Sequence, residues 1–139
     1  MIEAKSIYKS FGSLHVLKGV DLKIGKGEIV SIVGKSGAGK STLLHILGTL
    51  DTATKGELII NGEAVFQMNA KRLAAFRNAN IGFVFQFHHL LPEFNALENV
   101  MMPGMIHGGI PKAQLRERAA KLLDEVGLGH RKTHRPGEM

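Results

Sequence analysis

Residues 34–41 read GKSGAGKS, which satisfies G-x-x-x-x-G-K-[ST] at every required position. Glycines let successive backbone N–H groups turn inward into a concave anion nest, with no Cβ to hold a phosphate away. A helix behind such a loop adds unsatisfied N–H groups and the positive end of its dipole. Lys40 then reaches the β- and γ-phosphates of a nucleotide as a point charge, and the Ser41 hydroxyl is placed to ligate Mg²⁺. The context that the motif needs is legible on both sides. Glu28 to Val33 is a nearly continuous apolar run rich in β-branched residues, the pattern of a strand covered on both faces. After the loop, Leu43, Ile46, Leu47 and Leu50 share one face of a helix that starts in the loop and ends near Gly48. The expected nucleotide contacts are Gly34, Lys35, Ser36, Gly37, Ala38, Gly39, Lys40, Ser41 and Thr42.

Upstream, Ile2 to Tyr8 and Val16 to Ile24 read as two strands, the second with Val20, Leu22 and Ile24 on alternate positions. Downstream, Asn61-Gly62 between Leu58–Ile60 and Glu63–Val65 predicts a hairpin on a type I′ turn. A short helix follows over Ala70 to Arg77, then a second buried strand over Ile81 to Phe85. Beyond Gln86 come an aromatic, His-containing loop and a short helix around Ala96–Met102. Ile110-Pro111 opens an amphipathic helix with Leu115, Ala119, Leu122 and Val126 on one face and Gly127 as its cap. His130 to Met139 is polar and shows no structural pattern.

The 139 residues are 44% hydrophobic and 22% charged, which suits one soluble domain and excludes whole-chain disorder. Without cysteine a disulfide scaffold is impossible. There is no uninterrupted run of about 18 apolar residues, and Glu3 and Lys5 spoil the start as a signal peptide. A cytosolic location is the expectation. Glycine is in excess, at 17 residues or roughly 12% against about 7% in average proteins. The net charge of +6 is carried by both ends of the chain. It suits an anionic partner without choosing among nucleotide, membrane surface and nucleic acid. His130 and His134 are four apart but lack a third ligand, so a metal site there is not expected. Met101, Met102 and Met105 read as gap-filling core or interface residues.

The loop alone leaves the class of nucleotide protein open. Lys9-Ser10-Phe11-Gly12, Val16 to Val20, and Gly27-Glu28 leading into the loop resemble the N-terminal region of ABC-type ATPases. In that family an aromatic residue before the glycine stacks on adenine; the matching residue is Phe11, with Tyr8 as its rival. Phe83-Val84-Phe85-Gln86 resembles the family's glutamine loop. The resemblance makes Gln86, beside Lys40, a catalytic residue that contacts Mg²⁺ or the attacking water and links the nucleotide site to a membrane partner. A neutral amide that both donates and accepts hydrogen bonds suits that role.

Leu43 to Glu57, Gln86 to Pro103 and Val126 to Pro136 are similar to the lipoprotein-releasing ATPase family, and the resemblance covers essentially the whole chain. ATPases of macrolide-export and cell-division systems share most of this frame. The fold implied is α/β: a P-loop NTPase core with an N-terminal antiparallel β-subdomain and the start of a helical subdomain. Residues 1–85 would form the nucleotide-binding core, and 86–139 the glutamine loop and partial helical subdomain. The function implied is ATP hydrolysis coupled to lipoprotein release, at the cytoplasmic face of a Gram-negative inner membrane. ATP and Mg²⁺ are the implied cofactors. The implied partners are a second ATPase subunit, head to tail, and integral-membrane subunits, with no nucleic acid. His88, His89, Leu90, Leu91, Phe94 and Leu97 would face the membrane partner.

Parts that the family needs are absent from these 139 residues: the S-G-G-[QE] signature, the apolar strand ending in Asp-Glu, and the switch histidine. Leu122-Leu123-Asp124-Glu125 comes nearest to the second, but it lies in the amphipathic helix. The chain reaches Arg135-Pro136-Gly137-Glu138-Met139, where the family would run into Ser-Gly-Gly, and amounts to about three-fifths of a family domain of roughly 220–230 residues. Phosphoryl transfer needs electrostatic donors from all these parts, so the polypeptide alone is expected to have little ATPase activity. A parallel sheet without its later strands leaves edges and apolar faces exposed, so self-association is expected unless another chain covers them. A nucleotide-binding module without catalysis is the alternative from a different class. A small P-loop kinase would leave the Gln86 region unexplained.

Overall fold

β1 (Ile2–Phe11) and β2 (Leu14–Ile24) form an antiparallel hairpin that pairs from Phe11↔Leu14 to Ile2↔Ile24. The computed structural model describes residues 1–85 and 89–139, and the chain divides into two units, Met1–Arg77 and Asn78–Met139. In the first, β3 (Lys55–Ile60) pairs with the other edge of β1, and β4 (Glu63–Ala64) completes an antiparallel sheet of order β2-β1-β3-β4. Asn61 and Gly62 have φ of 52° and 84°, the type I′ geometry that Asn-Gly predicts.

β1 is bulged in its middle. Its register shifts between Ala4 and Ile7, and Ser6 has φ of 48° while its N–H donates to Asp21 Oδ1 at 2.7 Å. The carbonyls of Lys5 and Ser6 press on Gly56 of β3, where a Cβ would overlap both oxygens and φ is +110°. Only glycine meets both conditions at once.

α1 (Lys40–Leu47) follows the glycine loop and buries Leu43, Ile46 and Leu47. Leu50, expected on the same face, is exposed, because Thr49 turns to φ of 58° after Gly48 and the helical period ends there. The fully buried large side chains of this unit are Ile7, Ile46, Leu58 and Val65, from β1, α1, β3 and the turn after β4. α2 (Ala70–Asn80) buries Phe76, and Arg77 donates to the Thr49 carbonyl at 2.8 Å.

Two expected strands do not form. Glu28–Val33 and Ile81–Phe85 lie outside the sheet, with Ile29 100% and Val33 85% exposed and Val84 fully exposed. A covered parallel strand exists only between neighbours, and among the described residues neither segment has one. Ile29, Val33 and Val84 therefore face solvent, while Ile32, Ile81 and Phe83 are half-buried.

The second unit is built on α3 (Ala96–His107) and α4 (Lys112–Glu125). Its core joins Ala96, Leu97 and Met101 to Leu115, Ala119 and Leu123. α3 runs past its expected end through Pro103, which removes one N–H without breaking the helix, and stops at Gly108. In α4 the inward positions are Leu115, Ala119 and Leu123, four apart; Leu122 and Val126 are exposed, contrary to the face read from sequence. Gly127, at φ of 76°, closes α4 in a Schellman turn: its N–H bonds the Asp124 carbonyl at 3.0 Å and Leu128 N–H bonds that of Leu123 at 2.7 Å.

The segment after Leu128 is ordered despite its polar composition, with short 3₁₀ turns at Gly129–Arg131 and Pro136–Glu138. Ala96 N–H donates to the His134 carbonyl at 2.9 Å, and Leu97 N–H to that of Lys132 at 3.0 Å. With the Asn95–Glu98 capping box, these bonds satisfy the first-turn donors of α3.

Gly56→Ala is expected to destabilise the protein by about 2 kcal/mol or more, since it adds strain at positive φ to overlap with two carbonyls. Urea titration followed by far-ultraviolet circular dichroism reads this out. An unchanged midpoint would overturn the close approach of β1 to β3.

Candidate functional site

The glycine loop leaves Gly34 and enters α1 through Gly39, the helix N-cap, at φ of 84°. Gly37 also lies in the left-handed region at 76°, and Ala38 N–H closes a turn onto the Lys35 carbonyl at 3.2 Å. Gly39 has no room for a side chain. A Cβ there would stand 2.9 Å from Leu17 Cδ2 and 3.0 Å from Val16 Cγ1, so the loop exit is pressed onto β2. The N-cap provides no side-chain hydrogen bond, and the first turn of α1 carries no acidic residue. No side chain of the cap therefore meets the first-turn donors at the positive end of the α1 dipole.

Lys40 Nζ arches back over the loop and donates to the carbonyls of Gly34 at 2.9 Å and Lys35 at 2.8 Å. The ammonium is thus held against carbonyls of the loop itself. Lys35, Ser36, Gly37 and Ala38 are exposed, as is Ser41, whereas Thr42 is half-buried. Residues 34–42 thus run without interruption from an exposed loop into the head of α1.

Phe11 stands at the end of β1, 52% exposed, with the Lys9 ammonium 4.9 Å from its ring centroid. Tyr8 is 44% exposed, and its ring lies over β2, where a Cβ on Gly19 would fall 2.8 Å from its hydroxyl oxygen. Lys9 Nζ also donates to Asp51 Oδ1 at 2.6 Å and to the Thr52 carbonyl at 2.7 Å. The hydrogen bond from Lys9 holds the Asp51 carboxyl below the usual carboxylate range; partial burial opposes this, and the Thr52 N–H assists it.

Gln86 and His88 lie outside the described residues. His89, Leu90 and Leu91 are exposed beyond them, Phe94 is half-buried, and Leu97 is 6% exposed inside the α3–α4 core. Leu97 therefore cannot face a partner, because the helical period turns it inward beside Ala96 and Met101. Asn99, not singled out from sequence, knits this loop. Its Oδ1 accepts from Leu91 N–H at 2.9 Å, and its Nδ2 lies 3.0–3.1 Å from the carbonyls of Leu91, Phe94 and Asn95. The Lys9–Asp51 pair was also not legible, having no short-range pattern. Asn95-x-x-Glu98 was, as a helix-start signature. The His134 carbonyl accepts from Ala96 N–H, and among the described residues no three His, Cys, Asp or Glu side chains cluster.

The ABC transporter family profile matches residues 17–139. Over all 139 residues the chain is 59% identical to the lipoprotein-releasing system ATP-binding protein LolD of Bacteroides thetaiotaomicron and 58% identical to that of Bacteroides fragilis. It spans 63% and 64% of those two proteins, respectively. Two solved structures of one dimeric ATP-binding cassette superpose on the whole chain and 63% of their own, at 37% identity. The TM-score is 0.90 for the post-hydrolysis state bound to ADP and Pi, and 0.91 for the second structure.

The Asp51 shift fixes the sign of a pH effect. A folded pKa below the unfolded value of about 3.9 gives stability that is full above that value and lost as pH falls through the folded one. Urea midpoints measured from pH 7 to pH 2 should fall below about pH 4, and Asp51→Asn should flatten that decline. An identical acid limb in the variant would remove the pair's role.

Proposed function

Because the chain belongs to the ABC transporter family, we propose that it is the nucleotide-gripping part of an ATPase that energises the release of lipoproteins from a membrane. One observation carries the ATP reading: a left-handed glycine loop at an uncapped helix start, with the Lys40 ammonium across its mouth. Residues 34–39 cradle the phosphates with backbone N–H groups, and Lys40 exchanges its carbonyl partners for phosphate oxygens. The exposed Ser41 hydroxyl, a hard oxygen donor beside Lys40, fits Mg²⁺, which when bound offsets phosphate charge. Phe11 offers an aromatic face to the base. Gln86, from the family resemblance, is assigned to the reacting phosphate and its metal.

The cargo reading rests on the LolD relatives, and the dimeric cassette structures support a second ATPase subunit as partner. The exposed His89, Leu90 and Leu91 are assigned to a membrane-embedded subunit. Among the described residues no helix is long and apolar enough to cross a membrane. The likeness to the LolD relatives supports a peripheral subunit at the cytoplasmic face. Strands that cover Ile29, Val33 and Val84 would come from the remaining third of a relative's length.

A second reading is supported by what these 139 residues do not contain, an Asp-Glu strand and an S-G-G-[QE] signature. The polypeptide by itself then binds nucleotide without turning it over. Lys40→Ala should lose about tenfold or more in ATP affinity by equilibrium dialysis, as loss of a charged hydrogen bond implies. Unchanged affinity would sink the ATP reading. Steady hydrolysis by the 139-residue polypeptide, abolished by Lys40→Ala, would sink the binding-only one.

A further inference from the structure

The Lys9 side chain, only 12% exposed, makes three contacts that converge on one nitrogen. It gives hydrogen bonds to Asp51 and to the Thr52 carbonyl, and it sits over one face of Phe11. Asp51 and Thr52 follow α1, the helix whose head carries the glycine loop. The same strand end is bound there again, since Thr54 N–H donates to the Tyr8 carbonyl at 2.8 Å and Ser10 N–H to Thr54 Oγ1 at 3.0 Å. Across the hairpin, Lys9 pairs with Leu17, the residue against which Gly39 is pressed.

We propose that Lys9 is a positioning residue for the nucleotide base: anchored by Asp51 and Thr52, its ammonium fixes the Phe11 ring and reserves the opposite face for a purine. The inference rests on the ATP reading above and extends it to base selectivity. A half-exposed aromatic side chain at a strand end samples several rotamers, and binding must freeze them. A cation pinned over one face holds the ring in place before the ligand arrives and blocks that face. The lysine is itself held by two partners, so the ring is tied to the segment behind α1 rather than to a swinging side chain. Base platform and phosphate loop then move as one body within the first unit.

The test compares MgATP with magnesium tripolyphosphate, which keeps the phosphates and lacks the base, on the complete protein that carries this sequence. Lys9→Met is expected to weaken ATP binding about fivefold to tenfold while changing tripolyphosphate binding less than twofold. Lys9→Arg, which keeps a cation able to stack, should restore ATP to within about twofold. Phe11→Leu should show the same selective loss, and the Lys9→Met/Phe11→Leu double variant should be no weaker than the worse single one. Equal loss for both ligands, no loss for ATP, or additive single effects would each overturn the proposal. If melting shows that Lys9→Met does not fold, Asp51→Asn decides by the same ratio of affinities. Lys40→Ala separates the two levels: it should weaken both ligands, and if it weakens neither, the ATP reading itself has failed.

Discussion

The first unit depends on the missing side chain of Gly39. Its backbone lies so close to Val16 and Leu17 that a methyl group would collide with both, and its φ is left-handed as well. That approach fixes where α1 begins against the sheet. It leaves the first-turn donors of α1 pointing into the loop rather than being capped by a side chain.

The second unit joins a small α3–α4 core to hydrogen bonds at its helix ends. α3 begins on a capping box and on two carbonyls contributed by residues more than thirty positions later, Lys132 and His134. Asn99 folds the preceding loop back onto the same helix. Residues 91–95 and the segment after α4 thus meet at one helix N-terminus.

The β1–β2 and β3–β4 hairpins, the helices and the glycine loop were legible because their causes are local. Asn61-Gly62 requires its turn, the period of Leu115 and Ala119 requires a helix, and the spacing of Gly34, Gly39 and Lys40 defines the nest. Leu122 and Val126 were misjudged where the helix face rotates by one position and where Gly127 ends the period. Glu28–Val33 was misjudged for a different reason: apolar β-branched composition gives a segment the capacity to be a strand, while pairing alone makes it one. The polar tail was misjudged because its order comes from carbonyls, which every residue possesses and no composition reveals.

By itself the sequence determined the glycine loop and the helix start behind it, since glycine at fixed intervals before a lysine and a helix leaves few other conformations. Only the tertiary structure decided how the two aromatic residues of β1 are held: the Tyr8 ring lies over Gly19, and the Phe11 ring carries the Lys9 ammonium. The difference arises from contacts between residues more than forty positions apart, Lys9 with Asp51 and Thr52. No short-range pattern encodes such a pairing. It exists once the sheet and α1 have brought the two segments together.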